Sequence, residues 1–180
     1  LSGGGRTSIG GKTVRVRFSN AFGTNAVIIE AAHVALAPGT ASGGNGEILT
    51  DTDKTLTFGG APGATIPLGQ VVFSDPLEFE LPALTNVAIS IHFGDISATT
   101  ITGHPGSRTT SFVVSGNAVS HASLPTARKT QHWYVITGIE ARGAPGSRCI
   151  VVLGDSLTDG RGSTTDGNNR WPDVLAQRLA

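Results

Sequence analysis

Val14-Arg15-Val16-Arg17-Phe18 alternates apolar and charged side chains residue by residue. In an extended chain that period of two puts the apolar set on one face and the arginines on the other, the pattern of a half-buried antiparallel strand. The pattern returns in Leu77, Phe79 and Leu81 against Glu78 and Glu80, and in Val87, Ile89, Ile91 and Phe93 against Ala88, Ser90, His92 and Gly94. By this alternation His92 is expected on the solvent side. Further strands are expected at Val27 to Leu36, Thr55 to Phe58, Gln70 to Phe73, Thr110 to Val114 and His132 to Ile139. About eight short strands separated by turn residues fit an antiparallel, jelly-roll-like β-sandwich.

Composition agrees. The 180 residues include 25 Gly and 9 Pro, a turn-rich usage, and 38% of them are hydrophobic, enough to fill a core. Thirteen basic and 13 acidic residues cancel to a net charge of zero, so a broad nucleic-acid footprint or a polybasic membrane patch is not expected. No apolar run approaches the length of a membrane span, and the first residues have neither the basic end nor the apolar stretch of a secretory signal. The chain contains no Met and begins with Leu, which reads as a processed form or a piece of a longer product. Cys149 is the single cysteine, so an intrachain disulfide and a cysteine metal cluster are both ruled out.

Near Ala141 the character changes. Arg142 to Arg148 is rich in Gly, Pro, Ser and Arg, as linkers are, and the apolar run Cys149-Ile150-Val151-Val152-Leu153 follows without alternation. A strand apolar on both faces suits a parallel sheet covered on both sides. Beyond a polar loop, Trp171, Leu175 and Leu179 fall at i, i+4 and i+8, with Pro172 and Asp173 placed as a helix start prefers them. Strand, loop and helix open an α/β domain. The expected division is a β-sandwich over residues 1–145 and the incomplete start of the α/β domain over 146–180.

The chemistry is expected where that buried strand ends, at Gly154-Asp155-Ser156-Leu157. Gly154 permits a tight turn, Ser156 presents a hydroxyl at the carboxyl end of a strand, and the amide of Ser156 can help to hold an oxyanion. The arrangement is not the Gly-x-Ser-x-Gly elbow, because Thr158 stands where its second glycine would be. Other readings stand beside this one. Ser156 also fits an ordinary turn or N-cap serine, Asp155 and Asp159 fit loop-shaping carboxylates, and the loop fits a phosphate site at a helix N-terminus.

Gly154-Asp155-Ser156-Leu157, continued by Thr158-Asp159-Gly160 and by Asn169-Arg170-Trp171-Pro172, resembles the first sequence block of the GDSL, or SGNH, hydrolases. The β region, with Phe18 to Gly23 and His132-Trp133-Tyr134, is similar to the N-terminal domain of multidomain members. The resemblance implies a flavodoxin-like αβα domain of which this chain holds the first strand and helix. It also implies a secreted serine esterase or acylhydrolase acting on acyl esters of carbohydrates or small lipids, with no metal and no organic cofactor.

In the family the nucleophile maps to Ser156, and its own N–H is one of three oxyanion donors. The remaining donors and the Asp-x-x-His block that completes the triad have no match here, since no histidine follows His132. Without a base, a serine hydroxyl near neutral pH is a poor nucleophile, so these 180 residues alone are expected to be inactive. His33, His92, His104, His121 and His132 match no metal-ligand spacing and are read as structural. Trp133 and Tyr134, as neighbours in a strand, face opposite ways, leaving one of them available to stack on a sugar. A carbohydrate-binding sandwich is therefore the alternative function. The Gly-rich stretches 3–5 and 43–46 are read as loops, and Phe18 to Gly23 as a strand end and packed turn.

Overall fold

The computed structural model describes residues 1–38, 44–96 and 100–180. Thirteen strands and one helix follow in chain order: β1 (Ser2–Arg6), β2 (Gly11–Ser19), β3 (Val27–Leu36), β4 (Lys54–Leu56), β5 (Ala64–Ile66), β6 (Val71–Phe73), β7 (Leu77–Leu81), β8 (Asn86–Phe93), β9 (Gly103–Pro105), β10 (Ser111–Val113), β11 (Arg128–Thr130), β12 (His132–Tyr134), β13 (Ile136–Ala141) and α1 (Trp171–Leu179). All pairings are antiparallel.

One sheet runs β11-β10-β1-β8-β3-β4, with β5 also on β3. The second is centred on β2, with β13 on one side and β6 and β7 end to end on the other, and β9 and β12 form a separate two-stranded ribbon. The chain is thus mostly β, a two-sheet sandwich with a single C-terminal helix.

The alternation read from sequence is what joins the sheets. Val14, Val16 and Phe18 of β2 are buried against Val27, Ile29 and Val34 of β3 and Val87, Ile89 and Ile91 of β8 in one core, while Arg15 and Arg17 stay outside. Transfer of such side chains from water, worth roughly 1.5–3 kcal/mol each, is the main force holding the two sheets face to face. In β3 the register shifts between Ile29 and Ala31, so Ile29 and Ala32 both face the core.

Four expectations change. Gly3-Gly4-Gly5, read as a loop, is the middle of β1, a strand inside the large sheet between β8 and β10. The glycines answer to crowding. A Cβ on Gly4 would sit 2.5 Å from the Val87 carbonyl oxygen. His92 is half-buried rather than free in solvent, with Nε2 3.0 Å from Oε2 of Glu30 on the neighbouring strand. Ala88 and Ser90 beside it are buried too, Ala88 packed with Ile48 and Ser90 donating its hydroxyl to that of Ser2 in β1.

The continuous strand expected from His132 to Ile139 is two strands broken at Val135, whose φ of 53° turns the chain. The last change concerns Cys149 to Leu153. It pairs with no strand and lies open, Val151 being 87% and Leu153 98% exposed. A two-faced apolar strand gains regular structure only from neighbours on both sides, and no other strand stands beside it among the described residues.

Of the Gly-rich stretch 43–46, residue 43 lies outside the described residues and 44–46 carry no regular structure. The turn after β2 is packed as expected. Asn20 is buried and its amide donates to the carbonyls of Asn25 and Ile66, stitching the turn into the sandwich. Among the described residues no helix is long and apolar enough to cross a membrane.

Candidate active site

Ser156 stands in a compact turn. The Asp159 N–H donates to the Asp155 carbonyl at 3.0 Å and the Arg161 N–H to that of Ser156 at 2.8 Å, so residues 155–161 wind through about one helical turn. Asp155 Oδ1 accepts the Leu157 N–H at 2.9 Å, which is the loop-shaping part read for it beside the catalytic one. Gly154 is tightly packed against Thr158. A Cβ there would collide with Oγ1 of Thr158. Ser156 itself is exposed, and among the described residues its amide donates to no backbone carbonyl. A hydroxyl and a free N–H on one exposed residue are the two parts an acyl-transfer nucleophile needs from its own position.

The helix that follows is built as expected. Pro172 lies in its first turn, and Asp173 Oδ2 accepts both the Arg170 N–H at 3.0 Å and Arg170 Nε–H at 2.8 Å, closing the N-terminus. Leu175, Ala176 and Leu179 line a groove of about 570 Å³ with Ile150, Val152 and the turn Arg6 to Ile9 between β1 and β2. The apolar face of α1 thus meets the apolar run of the same segment across that groove, and no residue of the helix is fully buried.

Distances along the chain of tens of residues close at the turn's flank. Nε2 of His104, in β9, lies 3.2 Å from Oδ1 of Asp159. Asp166 Oδ1 and Oδ2 accept the N–H of Thr110 at 2.7 Å and its hydroxyl at 2.6 Å, while the Asp166 N–H returns a bond to the Arg108 carbonyl at 2.9 Å. Asn168 adds a bond from its amide to Oδ1 of Asn86 at 3.0 Å. Asp166 and Asn168 hold φ of 60° and 45°, a left-handed backbone that Asp and Asn tolerate better than most residues.

None of these contacts was visible in the sequence. A histidine before a proline and an aspartate in a Gly/Thr/Asp loop carry no local pattern that names a partner 56 residues away.

The other singled-out residues lie apart. His33 Nδ1 bonds Asp53, with Oδ2 at 2.9 Å, and its Nε2 faces Thr55 Oγ1 at 3.3 Å, a cross-strand group on the outer face of β3 and β4. His132 Nδ1 accepts the Gly106 N–H at 3.2 Å. Trp133 and Tyr134 do face opposite ways. Trp133 Nε1–H donates to the Gly4 carbonyl at 2.9 Å, whereas Tyr134 opens on a different groove with His132 and Arg128. Cys149 is a free, exposed thiol. No group of three or more metal-ligating side chains gathers among the described residues.

No curated protein matches the chain. A family model described as GDSL-like Lipase/Acylhydrolase matches residues 150–180, the stretch that holds the serine turn and α1. In that C-terminal segment the chain is similar to the GDSL-like lipase/acylhydrolase family.

Proposed function

We propose that the protein is a serine ester hydrolase in which Ser156 is the nucleophile and residues 1–145 form an accessory sandwich. The observation that carries this reading is the exposed Gly154-Asp155-Ser156-Leu157 turn inside the segment matched by the family model. Ser156 Oγ attacks the ester carbonyl and its proton passes to a base. The tetrahedral oxyanion is held in part by the Ser156 N–H, and collapse expels the alcohol to leave an acyl-serine. Water then attacks the acyl-serine by the same route and releases the acid.

Four of the five histidine side chains have partners other than Ser156, His92 facing Glu30. His33 and His132 are engaged elsewhere in the sandwich, and His104 faces Asp159. As the family resemblance implies, we assign the base and the other oxyanion donors to later sequence blocks that these 180 residues do not hold, and the 180-residue chain is proposed to be inactive. Secretion and acyl esters of carbohydrates or small lipids as substrates belong to the same proposal.

The test is hydrolysis of a short-chain nitrophenyl ester and labelling by a serine-directed phosphonate. In the longer protein Ser156→Ala is expected to lower kcat by about a thousand-fold or more. The 180-residue chain is expected to label far more slowly than the longer one. Equal labelling would overturn the inactivity, and an active Ser156→Ala enzyme the whole reading.

The carbohydrate-binding alternative has one observation in its favour. An open groove of about 610 Å³ places Tyr134 and His132 beside Arg128, with Ile91, Ile101 and Val113 on its apolar wall. Retention of the sandwich on an insoluble polysaccharide, lost in Tyr134→Ala, would support it.

A further inference from the structure

The serine turn has almost nothing apolar to rest on. Asp155, Ser156, Leu157 and Asp159 are exposed, and within residues 151–170 only Gly160 is fully buried. Catalysis by a serine nevertheless requires its oxygen to be held to a fraction of an ångström, since a displacement of about 1 Å costs on the order of a hundred-fold in rate. Whatever holds the turn must therefore be polar, and the polar contacts come from the sandwich. Those on Asp159 and Asp166 come from one stretch of it, residues 104–110, beside the bonds of Asn168 to Asn86 and of Thr165 to Gln131.

That loop is itself anchored. β9 and β12 pair His104 opposite Trp133, the two rings lie 5.9 Å apart, and Trp133 Nε1–H bonds the Gly4 carbonyl of β1 in the large sheet. From this footing His104 Nε2 faces Oδ1 of Asp159. Asp159 lies three residues after Ser156 in the same hydrogen-bonded turn. Six residues after His104, Thr110 grips both carboxylate oxygens of Asp166, and the Arg108 carbonyl takes the Asp166 N–H in return. The serine turn and the loop behind it are thus pinned at two points from one loop of the sandwich.

We propose that loop 104–110 is a positioning element of the ester-hydrolysing site, with His104 and Thr110 as positioning residues acting through Asp159 and Asp166. This rests on Ser156 being the nucleophile. On this account the sandwich is an integral wall of the active site and not a detachable module, because the serine's own segment lacks the contacts that would fix it.

The experiment compares His104→Ala, Thr110→Val, Thr110→Ser and the double variant His104→Ala/Thr110→Val in the full-length protein. Steady-state kinetics on a nitrophenyl ester is run beside amide hydrogen exchange of peptides spanning residues 155–167. Thr110→Val keeps the shape and the backbone bond but deletes the hydroxyl bond, so kcat is expected to fall several-fold with KM unchanged. Thr110→Ser, which restores the hydroxyl, is expected near wild type. The double variant is expected to lose about ten- to a hundred-fold in kcat, with faster exchange at 155–167 and unchanged protection in β3 and β8.

Wild-type kcat in the double variant, or exchange at 155–167 unaltered while the core stays protected, overturns the inference. So does a loss in Thr110→Ser equal to that in Thr110→Val. An active Ser156→Ala enzyme would instead remove the hydrolase reading, and the positioning role with it. Unaltered exchange in a background where Ser156→Ala is inactive removes the positioning role alone.

Discussion

Gly4 is the residue at which composition and structure disagree most usefully. A run of three glycines reads as a loop because glycine weakens a strand by entropy and offers no side chain to pack. In the folded chain the cost is offset by proximity. The Val87 carbonyl of β8 approaches β1 where a side chain on Gly4 would have excluded it. Gly4→Ala is expected to destabilise the protein by about 1–3 kcal/mol, as overpacking against backbone does. Gly5→Ala, whose new Cβ would sit 3.6 Å from the Trp133 ring, is expected to be nearly neutral. Urea titrations of the two variants check both; a Gly4→Ala variant as stable as Gly5→Ala would mean that crowding at the Val87 carbonyl does not explain Gly4.

Among elements, those with sustained alternation were legible. β2, β7 and β8 lie where the period of two put them, since burial on one face leaves the strand no other register that keeps its apolar set inside. The three-residue strands β5, β9 and β11 were not, because so few residues carry no period and are strands only through the partners they meet. Val135 escaped detection for a related reason, its positive φ being imposed by tertiary contacts on a β-branched residue that avoids it. The pair in 146–180 divides the same way.

α1 formed as read, because its start is encoded locally in Arg170, Pro172 and Asp173. Cys149 to Leu153 did not form a strand, because a ladder needs neighbours. It follows that α1 depends on its cap. Asp173→Ala is expected to weaken the helix by about 0.5–2 kcal/mol. That would appear as faster amide exchange in 171–179 with the melting temperature of the sandwich unchanged, since no residue of α1 is fully buried. A drop in the sandwich's own melting temperature would show the two to be coupled more tightly than their contacts indicate.

At the scale of the whole molecule, Asp75 ties one sheet to the other. It follows β6 of the smaller sheet, and its carboxylate accepts the Thr57 hydroxyl and the N–H groups of Gly60 and Gly59 at 2.8, 2.8 and 2.9 Å, all in the turn after β4 of the larger sheet. Those bonds, the Gly60 N–H first, then the Thr57 hydroxyl and the Gly59 N–H, hold the carboxyl below its ordinary range. A group whose pKa is lower folded than unfolded contributes fully above the unfolded value, near 4, and loses that contribution as pH falls through the lower folded value. The melting temperature is therefore expected to decline as pH drops through and below the ordinary carboxylate range. Asp75→Asn is expected to lower it at neutral pH and to flatten that part of the acid limb. Parallel acid limbs in the two proteins would show that other carboxylates carry the effect.

The sequence by itself determined the periodic strands, the helix and its cap, and the serine motif, because each is written in residues a few positions apart and acts through local geometry. What only the tertiary structure decided lies between distant positions. It made a glycine run into a central strand, left an apolar run without a sheet, and brought Thr110 to Asp166 and His104 to Asp159. Such contacts depend on the path of the intervening chain, and no local spacing in the sequence records that path.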